Sequence, residues 1–345
     1  MPYHLATAHH LGVETPIRSI ITPVPLARSQ RAIRNDASYP RPFGVSTNGG
    51  FEPVRALPSV GALFALPSVG AVLVAVDPTL IAWQIGTVDA FESAARLAAD
   101  AAGAILKRRW HDRGPVEVKS SPIDLVTEVD RACEQAILDV LGSAFPDHAF
   151  LAEESGGRGS HEFVWIVDPL DGTTNFAHGY PQVSIAIALR RGGETLFGLV
   201  YDPIREELFI ARRGGGATLN DRRIRVSAAR DLASSLLASG FPYDRRQHAD
   251  YYLSFFKAFM LRTQGIRRAG SAALDLCWVA AGRVDGFWEW KLKPWDTAAG
   301  VLIVEEAGGR ASDFRGDGFD AFGDQTLASN GLIHQEMVEV LLALL

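Results

Sequence analysis

Trp165-Ile166-Val167-Asp168-Pro169-Leu170-Asp171-Gly172-Thr173-Thr174-Asn175-Phe176 is the stretch on which the reading of this chain turns. Trp165, Ile166 and Val167 have the unbroken apolar character of a buried strand end. Asp168 emerges at the strand tip, and Pro169 lacks the N–H that would continue a ladder, which predicts a turn. Asp171 and Gly172 supply turn chemistry, while Thr173, Thr174 and Asn175 are residue types that cap helices. Two carboxylates three residues apart would then face one spot beside free backbone N–H groups. That combination holds a hard cation through the acids and an anion through the amides, as for a divalent metal against a phosphate. Taken alone, the segment leaves a solvated Asp-Pro-x-Asp-Gly turn equally open.

Further carboxylates stand at strand or helix ends. Thr127 reads as an N-cap with Asp130 at the third helical position, where the acid serves either a capping box or catalysis. Ala132, Ala136, Ile137, Val140 and Leu141 form the expected apolar stripe of that helix. His148 to Ala152 is strand-like and delivers Glu153 and Glu154. Asp296, after Pro294 and Trp295, begins a helix of small residues, where it is either an N-cap or a group pointed across a cleft to complete a metal site. Lys119 opens a polar loop, Lys119-Ser120-Ser121-Pro122-Ile123-Asp124, of the kind that carries function on a rigid scaffold. His178 is read as a residue that fixes the loop and not as a catalytic base.

The chain has 345 residues, 47% hydrophobic and 21% charged, enough for two domains and a sizeable core. A net charge of −6 argues against nucleic acid as a partner, which requires a basic face. Two cysteines, Cys133 and Cys277, lack metal-ligand spacing and fit a reducing cytoplasm as small core residues. The first 85 residues hold 10 of the 18 prolines, no lysine, and six arginines against four acids. Ala-Leu-Pro-Ser-Val-Gly-Ala occurs there twice, at 56–62 and 65–71, inside an uncharged run from Ala56 to Val76. Pro58, Pro67, Gly61 and Gly70, with no flanking basic cluster, count against a membrane span. Residues 1–85 are therefore expected to be a disordered or spurious extension. A helix with Thr87 as N-cap starts abruptly beside Val88, with Phe91, Ala94, Ala95, Ala98, Ala102, Ile105 and Leu106 at helical spacing as far as Arg113-Gly114.

Beyond the central stretch, Val183–Leu189 and Thr195–Tyr201 read as antiparallel strands, with Asn220-Asp221 as a later hairpin turn. Gly214-Gly215-Gly216 lacks the Lys-Ser/Thr of a P-loop and reads as a tight turn. From residue 231, strands and helices alternate, which suits an α/β domain. The expected division is thus 86–230, an α+β metal- and phosphate-binding domain, and 231–345, an α/β domain completing the site.

Together, Lys119-Ser-Ser-Pro-Ile-Asp, Glu153-Glu154-Ser, Asp168-Pro-Leu-Asp171-Gly-Thr173-Thr-Asn and Trp295-Asp296-Thr-Ala-Ala-Gly resemble the inositol monophosphatase family of magnesium-dependent, lithium-sensitive phosphatases, from about residue 88 to the C-terminus. The resemblance implies a layered αβαβα sandwich, a homodimer, and two or three Mg²⁺ per subunit. It implies Glu153, Asp168 and the Leu170 carbonyl at one metal, Asp168, Asp171 and Asp296 at a second, and Glu153 at a looser third. It also implies that the Gly172 and Thr173 N–H groups receive phosphate, that Thr173 supported by Asp130 orients the attacking water, and that Lys119 lies over the site. Ser271, Ala272 and Glu289 fall where the family contacts the alcohol part of the substrate. The implied activity is hydrolysis of inositol 1-phosphate without a phosphoenzyme. Fructose 1,6-bisphosphate, histidinol phosphate and nucleotide 3′- or 2′-phosphates are the sibling substrates, and a non-catalytic protein- or RNA-binding scaffold is the alternative of another class. Arg245 and Arg246, in Phe241-Pro242-Tyr243-Asp244-Arg245-Arg246, would either hold a second phosphate or pair with acids at a dimer contact.

Overall fold

A computed structural model describes residues 87–119 and 124–345. The first 85 residues, with their repeat, and Ser120–Ile123 lie outside the described part, as does the side chain of the expected cap Thr87.

Helix α1 (Thr87–Arg109) and helix α2 (Glu128–Ala144) cover one face of a large sheet. Ala94, Ala95, Ala98, Ala99 and Ala102 are fully buried on α1, so its backbone can approach the strands closely. The helix stops at Arg109, before the expected Arg113-Gly114, and Arg109 Nε donates to the Asp112 carbonyl across the turn that follows. Thr127 caps α2 as expected, its Oγ1 accepting the Val129 N–H at 3.1 Å. The buried face of α2 differs from expectation: it is Val129, Cys133, Ile137 and Leu141 together with Asp130 and Glu134, while Ala132, Ala136 and Val140 are only half-buried.

β1 (Val116–Val118) and β2 (Leu125–Thr127) form a small hairpin. The large sheet contains β3 (Ala149–Ala152), β4 (Gly156–Arg158), β5 (Phe163–Asp171), β6 (Ser184–Arg191), β7 (Glu194–Asp202), β8 (Glu207–Arg212), β9 (Gly216–Leu219) and β10 (Arg222–Arg223), in the order β10-β9-β8-β7-β6-β5-β3-β4. β3 and β5 are parallel and the other pairs antiparallel. Alternation along β6 divides two cores: Ile185, Ile187 and Leu189 point to α1 and α2, and Ala186 and Ala188 to the opposite face. The turns match their residues, Asn220 and Asp221 both having positive φ (47° and 62°).

A short helix, α3 (Thr173–His178), follows β5. Helices α5 (Ala272–Ala280) and α6 (Pro294–Glu306) then fill the layer between the large sheet and a second, five-stranded one. The second sheet runs β12-β11-β13-β15-β14, from β11 (Leu236–Ser239), β12 (Gly265–Arg267), β13 (Gly286–Trp290), β14 (Arg310–Ser312) and β15 (Gln325–Ser329). Its Ala238, Phe287 and Ala328 face α5 and α6, while Leu237, Trp288 and Leu327 face α4 (Ala249–Met260) and α7 (His334–Leu342). The result is helix, sheet, helix, sheet, helix: an αβαβα sandwich. Both cysteines are buried, and no described helix is long and apolar enough to cross a membrane.

One polar residue sits deep in the outer helical layer. His334 on α7 is fully buried, with Nε2 2.9 Å from Ser312 Oγ and Nδ1 2.8 Å from Ser329 Oγ. Burial, reinforced by the Arg310 charge, pushes its pKa down to about 4. The unfolded chain, with its imidazole near pKa ~6.5, binds the proton first as pH falls, so the folded state loses stability from about pH 6.5 downward until the folded value is passed. Urea unfolding at pH 7.5 and pH 5.0 should show the wild type losing about 2 kcal/mol more than His334→Leu over that interval. Equal losses would place the imidazole outside this linkage.

Candidate active site

Separate local devices bring Glu153, Asp168, Asp171 and Asp296 within electrostatic reach of one another. Along β5, Asp168 pairs with Ala186 and Asp171 with Ser184, so β5 carries three steps where β6 carries two. The strand therefore does not end at Val167 but continues through Pro169 as a bulge, a position where a missing N–H is tolerated. Residues three apart on a regular strand face opposite ways; Ala186 and Ser184, two apart, share a face. The extra residue thus turns both Asp168 and Asp171 toward the α5/α6 layer. Glu153 follows β3, whose Ala152 pairs with Val167, and the Glu153 N–H donates to the Val167 carbonyl at 3.2 Å, which sets Glu153 beside Asp168. Asp296 is the third residue of α6, behind Pro294, and its Oδ2 accepts the Lys293 N–H at 2.7 Å; it is not the N-cap itself.

These acids oppose one another. Burial, followed by the charges of Glu153, Asp171 and Asp296, drives the Asp168 pKa far up, and the Leu170 N–H at 3.0 Å offsets it only in part. Burial raises Glu153 to about 7 against the pull of Lys119, whose Nζ donates to Glu153 at 2.8 Å and also to Glu154. Burial lowers the Lys119 pKa, but the Glu153 and Glu154 contacts outweigh it and the net shift is upward. Asp296 is raised by burial and then by Asp171, Glu153 and Glu289, against the Lys293 N–H. Asp171, also raised by burial, accepts from Ser271 Oγ (2.6 Å), the Ala273 N–H (2.9 Å), Ser184 Oγ (3.2 Å) and the Ala272 N–H (3.3 Å).

The donor chemistry fits a hard divalent cation: oxygen ligands, crowded and buried, with Asp168 receiving a single N–H among the described residues. The arrangement is not a closed cage, because among the described residues no three His, Cys, Asp or Glu side chains stand close enough to hold one ion. Lys119 is the cation on Glu153 in this structure.

Asp130 is the capping-box acid of α2 and also reaches across to the start of α3. Its Oδ2 accepts the Thr127 N–H (2.8 Å) and Oγ1 (2.6 Å) as a capping-box acid, and its Oδ1 accepts Thr173 Oγ1 at 2.8 Å. Thr173 Oγ1 also lies 3.2 Å from the Leu170 carbonyl. Helix α3 begins behind Gly172 with no side-chain cap, so Thr173, Thr174 and Asn175 do not serve as its N-cap. Ser271 is buried and, with Ala272, is committed to Asp171. Glu289 on β13 is raised to about 7 by burial, with Arg268 and Arg245 pulling it down and Asp171 pushing it up. Arg245 itself is lowered, by burial and then by the neighbouring Arg268 and Arg246 charges. His178 is exposed on the last turn of α3; Asn175 fixes the loop instead, its Nδ2 donating to the carbonyls of Gln182 (2.8 Å), Ala269 (2.9 Å) and Gly270 (3.1 Å). Sequence reasoning takes Asn175 for a cap residue and gives Glu134 no part; a polar residue one turn beyond Asp130 was the available signal for the latter.

A model of the inositol monophosphatase family matches residues 88–345. The chain belongs to the inositol monophosphatase family. It is 47% identical over 245 residues to an inositol-1-monophosphatase of Synechocystis sp., a match covering 70% of this chain and 85% of that one. It is 51% identical over 200 residues to the Nus factor SuhB of Pseudomonas aeruginosa, covering 56% and 73%. The solved inositol monophosphatase of Anabaena sp. superposes with a TM-score of 0.69 at 42% identity, covering 75% of this chain and 97% of that one. SaIMPase-II, 29% identical at a TM-score of 0.62, covers 72% of this chain over 92% of its own length and has been solved with inositol monophosphate bound; another structure of it holds 2′AMP. Membership of this family makes the protein a phosphatase.

At Gly172, in the central stretch, the geometry leaves no room for a side chain. Its φ is +95°, and a Cβ there would lie 2.8 Å from the Gln182 carbonyl oxygen. Gly172→Ala should lower stability by roughly 1–3 kcal/mol in urea unfolding. An unchanged midpoint would contradict the strained turn.

Proposed function

We propose that the protein hydrolyses phosphate monoesters, with inositol 1-phosphate as the preferred substrate. Glu153, Asp168, Asp171, Asp296 and the Leu170 carbonyl would hold two or three Mg²⁺. The observation that carries the reading is the meeting of mutually repelling carboxylates around Asp168, beside the Thr173–Asp130 pair. When bound, Mg²⁺ supplies charge neutralisation and a water of lowered pKa, which together remove the need for a histidine base or a serine nucleophile.

The chain's own groups have distinct tasks. Thr173 directs its hydroxyl proton at Asp130 Oδ1, which leaves its oxygen lone pairs to accept from, and so orient, the attacking water. The Gly172 and Thr173 N–H groups would receive phosphate oxygens, and Glu289 would contact substrate hydroxyls. Lys119, tied to Glu153 and Glu154, would exchange partners as metal and substrate enter. Family membership further supports a cytoplasmic homodimer inhibited by lithium. Among sibling substrates, the relative with 2′AMP bound favours nucleotide phosphates as the next class to try. Some relatives bear the name Nus factor SuhB, and a non-catalytic protein- or RNA-binding scaffold is the alternative of another kind. Against that as the sole role stand the acids themselves, because a scaffold gains nothing from burying repelling charges.

The test is phosphate release from inositol 1-phosphate, fructose 1,6-bisphosphate, histidinol phosphate and nucleotide 2′- and 3′-phosphates, with and without Mg²⁺. Mg²⁺-dependent turnover, fastest on inositol 1-phosphate, is the expected result. Folded protein inert on all of them would overturn the reading. Asp168→Asn, close to isosteric, should lose activity by about 100-fold or more while its unfolding transition is retained. A variant with most of its activity would remove Asp168 from the site.

A further inference from the structure

Asp130 and Glu134 stand one helical turn apart on α2, and both are buried. Asp130 holds Thr173. Glu134 holds the other side: its Oε2 accepts the Glu154 N–H at 2.8 Å and its Oε1 the Ser155 N–H at 2.9 Å. Glu153, Glu154 and Ser155 are the tip of the β3–β4 hairpin, closed below by the pairing of Ala152 with Gly156. Nothing in the hairpin supplies acceptors for those two amides, and a carboxylate with two oxygens can take both at once.

We infer that Glu134 is a positioning residue for the acid cluster: by clamping the Glu154 and Ser155 amides it fixes where Glu153 stands relative to Asp168. One helix then sets the distance between the hairpin tip, held through Glu134, and the start of α3, held through Asp130. The clamp also explains how Lys119 reaches Glu153 and Glu154 together, since the backbone between them is held from behind. A glutamine at 134 has one acceptor oxygen and an NH₂ that would face the second N–H, so it cannot reproduce the clamp.

The inference rests on the proposed hydrolase reading only for its Mg²⁺ readout. In Glu134→Gln without metal, amide hydrogen exchange of the peptide spanning Glu154 and Ser155 should speed up by about tenfold or more, with α1 and β6 peptides unchanged. The Mg²⁺ concentration giving half-maximal activity should rise about tenfold or more, while the substrate KM at saturating Mg²⁺ stays within about twofold. Glu134→Asp keeps the charge but withdraws it by one methylene, and should fall between wild type and Glu134→Gln on both readouts; it decides the matter if Glu134→Gln does not fold. Faster exchange with an unchanged Mg²⁺ requirement would reduce Glu134 to a structural residue, and unchanged exchange would remove the clamp; either result overturns the inference. A wild type with no Mg²⁺-dependent activity counts against the hydrolase reading, and the exchange experiment then decides the clamp alone.

Discussion

The side chain of Asp171 joins β5 to the N-terminus of α5, and the arrangement of the site depends on that join. A carboxylate buried this deeply costs several kcal/mol unless donors surround it. Two hydroxyls and two N–H groups do so, and the N–H pair belongs to the first turn of a helix, where negative charge is favoured. The cap that α5 lacks from its own Ser271 is thus provided by the large sheet. Asn175, four residues along, grips Ala269 and Gly270 just before the helix. Two side chains of the central stretch therefore hold the entrance of α5, and Ser271 and Ala272 acquire their positions from that grip.

Much of this is legible in the sequence, but for partly different reasons. The acid-bearing blocks announce themselves through Pro169, Gly172 and Pro294, residues whose backbone limits mark where chains bend. The shared direction of Asp168 and Asp171 follows from a bulge and not from a turn after Val167, and an extra ladder residue has no local signature beyond Pro169. The buried face of α2 is harder to read because two of its members, Asp130 and Glu134, are acids, which a search for apolar period passes over. β14, β15 and α7 escape a local reading for another reason. β15 inserts between β13 and β14, out of chain order, and Arg310-Ala311-Ser312 carries no alternation of its own.

Asp296 depends on how well α6 is held, and that helix starts from an unfavourable distribution of charge. Its last turn contains Glu305 and Glu306 and no basic residue, the reverse of what the helix dipole prefers. Both acids are taken up by the large sheet: Arg213 Nη1 donates to Glu305 at 2.6 Å, and the Gly214 and Gly216 N–H groups donate to Glu306 at 2.7 Å each. The triple glycine is therefore a receptor for a carboxylate of this chain, which is why its amides are unavailable to a phosphate. Midway along the helix, the backbone of Ala299 lies against Gly198 of β7, where a Cβ would come within 2.8 Å of the Ala299 carbonyl oxygen. A helix seated on bare backbone at its middle and clamped at its C-terminal end has little freedom to slide. The repulsion among Asp296, Asp171 and Glu153 is then not relieved by moving the helix away.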